Sequence, residues 1–277
     1  MPYVLAADED EALEALDDPA FRIVCGGTDW FGSPRGRAAR VARVGLVDIS
    51  RIPTLRAIAL QNSWLRIGAA TTWADLLQFP LEPSWHALHD AARLIGSEQI
   101  QHRASVGGNL CNGSPAADGA VALLALDAEV ELRSRDHARR LPLHRFLKGK
   151  HAVDLRRTEL LEAIWLPPST TRSASAFVKF GVRRQLNIAI ASVAVQISAG
   201  VHGYRIAAGS VAPMPVRLRI LEALLGRAEA CDFDTLDRAT AMPEIAPIDD
   251  LRATARYRRH LVVELAQQGI ALARLRS

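Results

Sequence analysis

The spacing of apolar positions changes repeatedly along the chain, and each change predicts an element. Asp8 to Leu16 is acidic with helical spacing and is closed by Asp17-Asp18-Pro19, so a short helix is expected. Phe21-Arg22-Ile23-Val24-Cys25 reads as a short buried strand stopped by Gly26-Gly27. Val44 to Ile49 and Trp64 to Ala69 predict two more strands. The Gly- and Arg-rich stretch Gly32 to Arg40 before the first of them is expected as an exposed loop. In Thr71-Thr72-Trp73-Ala74-Asp75-Leu76-Leu77 a threonine can cap a short helix. Helical spacing returns from about Trp85 to Ile95, with Leu88, Ala91, Ala92 and Ile95 on one stripe. Ser114-Pro115 has the form of an N-cap followed by a first-turn proline. Asp118 then falls in the first turn of a helix whose run Val121 to Leu126 is buried, and Glu129 to Arg133 alternates as a strand.

The pattern breaks at Leu166-Pro167-Pro168-Ser169-Thr170-Thr171, where two prolines forbid helix and central strand. A boundary is expected there, between residues 1–168 and residues 172–277. Beyond it, Ala176 to Val182, Ala189 to Ile197 and Tyr204 to Val211 predict three strands of an antiparallel sheet. Helices are expected from about Arg217 to Leu225 and from Asp250 to Arg274.

Composition narrows the function classes. With 277 residues the chain is long enough for two domains and needs no disulfide or metal staples. A 49% hydrophobic and 23% charged composition is that of an ordinary globular protein, and no apolar run reaches the ~20 residues of a membrane span. Met1-Pro2-Tyr3-Val4 opens no signal peptide, so a cytoplasmic location is expected. The net charge of +4 is scattered, and the run Arg256, Arg258, Arg259 and His260 lacks stacking aromatics beyond Tyr257. It reads as a solvated or partner-facing helix, and no nucleic-acid partner is expected. Cys25, Cys111 and Cys231 are far apart with no CxxC, against both an iron–sulfur cluster held by this chain alone and a zinc finger. His86 and His89 lack an HExxH glutamate and read as solvated or capping, so no metal site is expected.

Two Gly-Gly pairs carry candidate chemistry, in Cys25-Gly26-Gly27-Thr28-Asp29 and Ser105-Val106-Gly107-Gly108-Asn109. Each is a tight turn on the plainest reading. Each also lets backbone approach a ligand and turn N–H groups toward an anion, and two such loops together could cradle a pyrophosphate. Neither is GxGxxG or GxxxxGK[ST], which disfavours a Rossmann site and a P-loop.

The stretch Ile100 to Asp118, with Ser105–Asn109 (SVGGN) and Ser114–Asp118 (SPAAD), resembles the signature of the FAD-binding subunit of molybdenum hydroxylases, such as the bacterial xanthine dehydrogenase and carbon monoxide dehydrogenase types. Cys25-Gly26-Gly27-Thr28-Asp29 is similar to the family's first flavin loop, where alanine usually stands in place of cysteine. Ser175–Phe180, Ser210–Arg217 and Tyr257–Leu261 resemble its C-terminal domain, so the resemblance covers nearly the whole chain.

The resemblance implies an α+β architecture of the vanillyl-alcohol-oxidase type: two α+β subdomains, about 1–52 and 53–168, then a smaller α+β domain at 172–277 with an antiparallel sheet. By motif, the first loop (Ile23, Val24, Cys25, Gly26, Gly27, Thr28, Asp29, Trp30) and the second (Ser105, Val106, Gly107, Gly108, Asn109) would wrap the pyrophosphate and ribityl part of a noncovalent FAD. Ile95 would contact the flavin or adenine portion, Leu161 would pack on the isoalloxazine with Lys179 near it, and Asp118 would accept a hydrogen bond from the cofactor. Read from the residues alone, Asp118 can instead serve the helix dipole, Lys179 can be a solvated strand lysine, and Ile95 and Leu161 can be plain core. Cys25 reads as a small buried hydrophobe. His102 stands where the family tends to have asparagine, and Asn187, after Arg183-Arg184-Gln185-Leu186, where acidic residues are common.

The implied function is an electron-transfer subunit with no catalytic acid or base of its own. Its implied partners are a large subunit with the molybdenum cofactor and a small subunit with [2Fe–2S] clusters, and an acceptor such as NAD. A stand-alone flavin reductase of the same fold is the alternative, and a scaffold without flavin a third reading.

Overall fold

The computed structural model describes residues 2–169, 173–183, 187–198, 203–226 and 242–277. Met1, Thr170, Thr171, the domain start at 172, Arg184-Gln185-Leu186 and Cys231 lie outside the described residues.

A three-stranded parallel sheet, β1 (Tyr3–Leu5), β2 (Phe21–Val24) and β3 (Gly45–Asp48), has the order β1-β3-β2. Between β1 and β2 runs α1 (Glu9–Ala15), N-capped by Asp8, whose carboxylate accepts the Glu11 N–H at 2.8 Å. Between β2 and β3 lie α2 (Thr28–Gly32) and α3 (Pro34–Val41). The Gly32–Arg40 stretch, expected as a loop, is therefore largely helical. Ser33 accepts the Gly36 N–H at 3.1 Å and Pro34 fixes the first helical φ, so cap and proline outweigh the glycine.

The chain continues through β4 (Ile58–Gln61), β5 (Trp64–Gly68), α4 (Trp73–Gln78), α5 (His86–Leu94), α6 (Glu98–Gln101), α7 (Val106–Asn112) and α8 (Asp118–Ala125). It then forms β6 (Glu129–Arg133), β7 (Ala138–Pro142), α9 (Leu143–Phe146), β8 (Leu147–Gly149), β9 (Ala152–Val153) and β10 (Leu160–Leu166). Five of these strands make an antiparallel sheet, β4-β5-β10-β6-β7. Thr72 caps α4 in a full capping box with Asp75, as the threonine pair suggested. Ser114-Pro115 does not start α8. Ser114 closes a local turn on Ala116 and Ala117, the Pro115 carbonyl is held by the Ser210 N–H at 2.8 Å, and the helix begins at Asp118.

The C-terminal region holds β11 (Ala174–Phe180), β12 (Ala191–Ile197), β13 (Tyr204–Gly209) and β14 (Val216–Arg217), an antiparallel sheet in that order. α10 (Arg219–Leu225) and α11 (Ala255–Arg274) complete it; α11 starts later than expected, behind the N-cap Thr254. Both faces of this sheet are covered. Val193, Val195, Ile206 and Ala208 pack with Leu261, Val262, Leu265 and Ile270 of α11. The alternate residues Phe177, Ala194 and Ala207 join a cluster with α8 and the inner face of the five-stranded sheet (Leu65, Ile67, Val130, Leu132, Ile164). α8, apolar beyond its first residue and buried at every position, lies inside that shared core.

Candidate functional site

The first Gly-Gly pair turns the chain from β2 into α2. Gly27 has φ 72°, in the region that favours glycine, and caps the helix. Gly26 is required for a close approach: a Cβ there would sit 1.8 Å from the Arg103 carbonyl oxygen. The turn thus lies directly on the segment leading into Ser105. Burial pushes the Cys25 thiol up, with a hydrogen bond from Ser105 pulling the other way, so Cys25 is a neutral thiol at neutral pH. The N–H groups of Gly27, Thr28 and Asp29 have no hydrogen-bond partner among the described residues, as the first turn of a helix leaves them.

The second Gly-Gly pair is not a turn but the start of α7. Ser105 is the N-cap, and its hydroxyl accepts the Gly108 N–H at 3.1 Å. The Val106 and Gly107 N–H groups donate to the Thr71 and Ala69 carbonyls, each at 2.9 Å, and the Asn109 N–H to the Ser105 carbonyl at 3.1 Å. These amides are committed within the chain, so what the glycines supply is room rather than donors. A Cβ at Gly107 would meet Ala69 at 2.6 Å, whereas one at Gly108 would meet only the Ser105 hydroxyl within 4 Å.

α7 delivers Asn109 to α8. A Cβ at Gly119 would lie 2.8 Å from Asn109 Oδ1 and 2.3 Å from the Trp73 ring, so Asn109 and Trp73 sit against the residue that follows Asp118. Asp118, at the first position of α8, is buried and bonds Lys179 Nζ through Oδ2 at 2.6 Å. Lys179 Nζ also donates to the Asn187 carbonyl at 2.9 Å and the Leu94 carbonyl at 3.3 Å. Its side chain is only 5% exposed, which overturns the solvated-lysine reading. Lys179 does face away from Val178 and Phe180, but that second face of the sheet packs on the N-terminal region instead of water. Burial pushes the Asp118 carboxyl up to about 6, against the pull of the Lys179 ammonium.

The turn, Ser105, Asn109, Asp118 and Lys179 therefore form one continuous run. Ile95 ends α5 one residue past Leu94; it is half-buried on the core, and its carbonyl accepts the Gln101 amide at 3.1 Å. Leu161, in β10, is buried within the main cluster, which also holds Val106 and Leu110 of α7. A cavity of about 520 Å³ opens between α4, α5 and α6, floored by Ala74, Leu77 and Leu94 and rimmed by Gln101 and His102. His86 and His89 stack on each other and bond the Leu81 and Leu76 carbonyls, a capping use.

Three buried polar atoms along the run lack a hydrogen-bond partner among the described residues: Asn109 Oδ1, Asp118 Oδ1 and Trp73 Nε1. A buried polar atom left unpaired costs about 1–3 kcal/mol, a penalty that a bound polar group removes. Two acceptors and one donor, beside the free amides of the first turn and the open side of Gly108, fit a flavin dinucleotide, which carries both donors and acceptors along its length. Trp73 was not foreseen from the sequence; a buried indole inside a capped helix was its only signal.

Comparison with known proteins agrees over the full length. Residues 1–169 match the family model for the FAD binding domain in molybdopterin dehydrogenase, and residues 176–273 that for the CO dehydrogenase flavoprotein C-terminal domain. The chain is 31% identical over 278 residues to the putative xanthine dehydrogenase FAD-binding subunit of Escherichia coli (strain K12), covering 97% of this chain and 94% of that protein. It is 29% identical over 230 residues to the carbon monoxide dehydrogenase medium chain of Hydrogenophaga pseudoflava, covering 81% and 80%. Among solved structures, carbon monoxide dehydrogenase from Hydrogenophaga pseudoflava superimposes with a TM-score of 0.90 at 27% identity, covering 100% of this chain and 98% of the other.

Proposed function

The chain belongs to the family of FAD-binding subunits of molybdenum hydroxylases, and from that premise we propose that it is an electron-transfer subunit, taking electrons from the [2Fe–2S] clusters of a small partner subunit and passing them to an acceptor such as NAD. The molybdenum cofactor, and with it substrate hydroxylation, would reside on a large partner subunit. Relatives named as FAD-binding subunit and medium chain support a place in such an assembly. We take residues 1–168 and 172–277 as its two domains. A cytoplasmic site for the assembly is supported by the free thiols of Cys25 and Cys111.

The observation that carries the cofactor reading is the pair of orphaned buried oxygens, Asn109 Oδ1 beside Gly119 and Asp118 Oδ1 on the carboxylate that holds the Lys179 ammonium. FAD, when bound, supplies chemistry that accepts electrons singly and releases them as a pair. The residues of this chain bind and orient it. The Gly27, Thr28 and Asp29 amides would meet the diphosphate, Gly108 would leave space for it, and Asn109 and Asp118 would accept from the cofactor's N–H or O–H groups. Lys179, fixed by three acceptors, would hold a positive charge at the flavin end. No side chain of the run is placed in the role of general acid or base.

A visible absorption spectrum of the purified chain supplied with FAD, before and after acid precipitation, tests the reading. Flavin bands that move wholly to the acid supernatant are expected, since the cofactor is proposed to be noncovalent. Colour kept in the pellet, or no flavin bound at any FAD concentration with the partner subunits present, would sink it.

A further inference from the structure

The ion pair of Asp118 and Lys179 joins two different parts of the chain, so something must set where β11 sits against the N-terminal region. Among the described residues β11 pairs only with β12, and its other edge turns backbone N–H and C=O groups outward. Two of these are taken up by side chains. The Phe177 N–H donates to Asp90 Oδ2 of α5 at 3.1 Å. The Ser175 carbonyl accepts from Arg276 Nη1 at 2.8 Å. Arg276, just beyond α11, also grips both oxygens of Asp90, at 2.6 and 3.0 Å.

The contacts repeat along both elements. The Ser175 hydroxyl accepts the Ala87 N–H at 2.8 Å, the Phe177 N–H meets Asp90, and Lys179 Nζ reaches the Leu94 carbonyl. Residues 175, 177 and 179 are every second position of one strand, and 87, 90 and 94 follow the spacing of one helix face. A slip of β11 by one residue would turn Lys179 to the opposite face, into the cluster under α11. Arg276 bridges β11 and α5 from outside both: its fork on Asp90 is bidentate and charge-assisted, and the same guanidinium holds the Ser175 carbonyl, in the middle of the series. Arg93 reaches Asp90 only at 3.9 Å and from an exposed position.

We propose that Arg276 is a positioning residue for the flavin site: by clamping Asp90 and the Ser175 carbonyl it fixes the register of β11 on α5 and so holds Lys179 on Asp118. The proposal rests on the reading that Asp118 and Lys179 border the flavin.

The test is made on the full chain titrated with FAD, following flavin fluorescence for affinity and the visible band shape of the bound flavin for its surroundings, with a thermal midpoint for each variant. Arg276→Ala is expected to weaken FAD binding by about tenfold or more and to alter the flavin band shape. Arg276→Lys, which keeps the charge and one hydrogen bond, should recover most of the affinity. Arg217→Ala is the control. Arg217 also spans the two regions, bonding the Leu124 carbonyl, Asp127 and Glu222, but it does not touch β11. It should lower the thermal midpoint and leave the flavin bands unchanged. Unchanged FAD affinity and bands in Arg276→Ala, or the same change in Arg217→Ala, would overturn the proposal. Should Arg276→Ala not fold, Asp90→Asn takes its place with the same expectations. Asp118→Asn separates the two levels: if it alters flavin binding while the Arg276 variants do not, only the positioning role falls. If it too has no effect, the site reading falls and takes the proposal with it.

Discussion

At the scale of single residues, the site depends on where a methyl group can and cannot be added. Gly26→Ala would drive a Cβ into the Arg103 carbonyl and force the first turn off the Ser105 segment. A loss of about 2–3 kcal/mol is expected from urea unfolding, together with weaker FAD binding. Gly32, at the end of α2, has nothing within 4 Å of its notional Cβ, and Gly32→Ala should be neutral or stabilising by up to ~1 kcal/mol. Asp118 gives a pH signature. Its folded carboxyl, at about 6, holds a proton that the unfolded chain releases near 4. Its contribution to stability is therefore fully present below about pH 4 and is lost as the pH rises to 6, by on the order of 2–3 kcal/mol. Urea unfolding of the wild type and Asp118→Asn at pH 4.5 and pH 7 should show the wild type losing ground to the variant on going up; parallel pH curves would refute this. The Gly-Gly pairs and Asp118 were marked in the sequence by the family resemblance; from the residues alone the pairs read as tight turns, and Asp118 could instead serve the helix dipole. The burial of Lys179 was not legible there, since alternation along β11 says which face a residue takes but not whether that face meets water.

Elements show the same division. Ser33-Pro34 and Ser114-Pro115 are the same local signal, yet one starts a helix and the other does not. Ser33 is half-buried and its backbone bonds only near neighbours, Asp29 and Arg37, among the described residues, whereas the Pro115 carbonyl is taken by the Ser210 N–H of the C-terminal region. Local chemistry decided the first case and a contact across about 95 residues the second. β10, the centre of the five-stranded sheet, was hidden for a related reason. Leu160–Leu166 is mostly buried on both sides, so it lacks the alternation that marked Glu129–Arg133, and a bulge between Leu161 and Ala163 blurs it further. α7 was hidden by its glycines, which are poor helix formers but are needed where Gly107 packs on Ala69. Its start hangs on one hydroxyl. Ser105→Ala removes the acceptor of the Gly108 N–H and is expected to lower stability by about 1 kcal/mol in thermal or urea unfolding. Because Asn109 is carried by the same first turn, FAD affinity should fall with it, whereas Thr254→Ala, which uncaps α11 far along the chain, should lower stability alone.

For the whole molecule, the question is whether two sequence units act as one. The proline-rich break near residue 168 is read as a boundary between two domains, and the main core runs across it: Phe177, Ala194 and Ala207 pack in the same cluster as α8 and the five-stranded sheet. Arg205 and Arg217 on Asp127, Arg276 on Asp90 and Lys179 on Asp118 add four charged ties across the junction among the described residues. Such an interface should couple unfolding of the two parts. The sequence provides a clean probe, because all five tryptophans (Trp30, Trp64, Trp73, Trp85, Trp165) precede the break, while the long helix α11 lies beyond it. Tryptophan fluorescence thus follows the N-terminal region, and far-ultraviolet circular dichroism follows both. The two urea transitions are expected to coincide, and saturating FAD should move them together, by about 2.7 kcal/mol at a hundredfold excess over the dissociation constant. A fluorescence transition that shifts with FAD while a separate dichroism transition stays in place would mean that the C-terminal region contributes nothing to the cofactor site, and that Lys179 is a neighbour of Asp118 without being part of the flavin's surroundings.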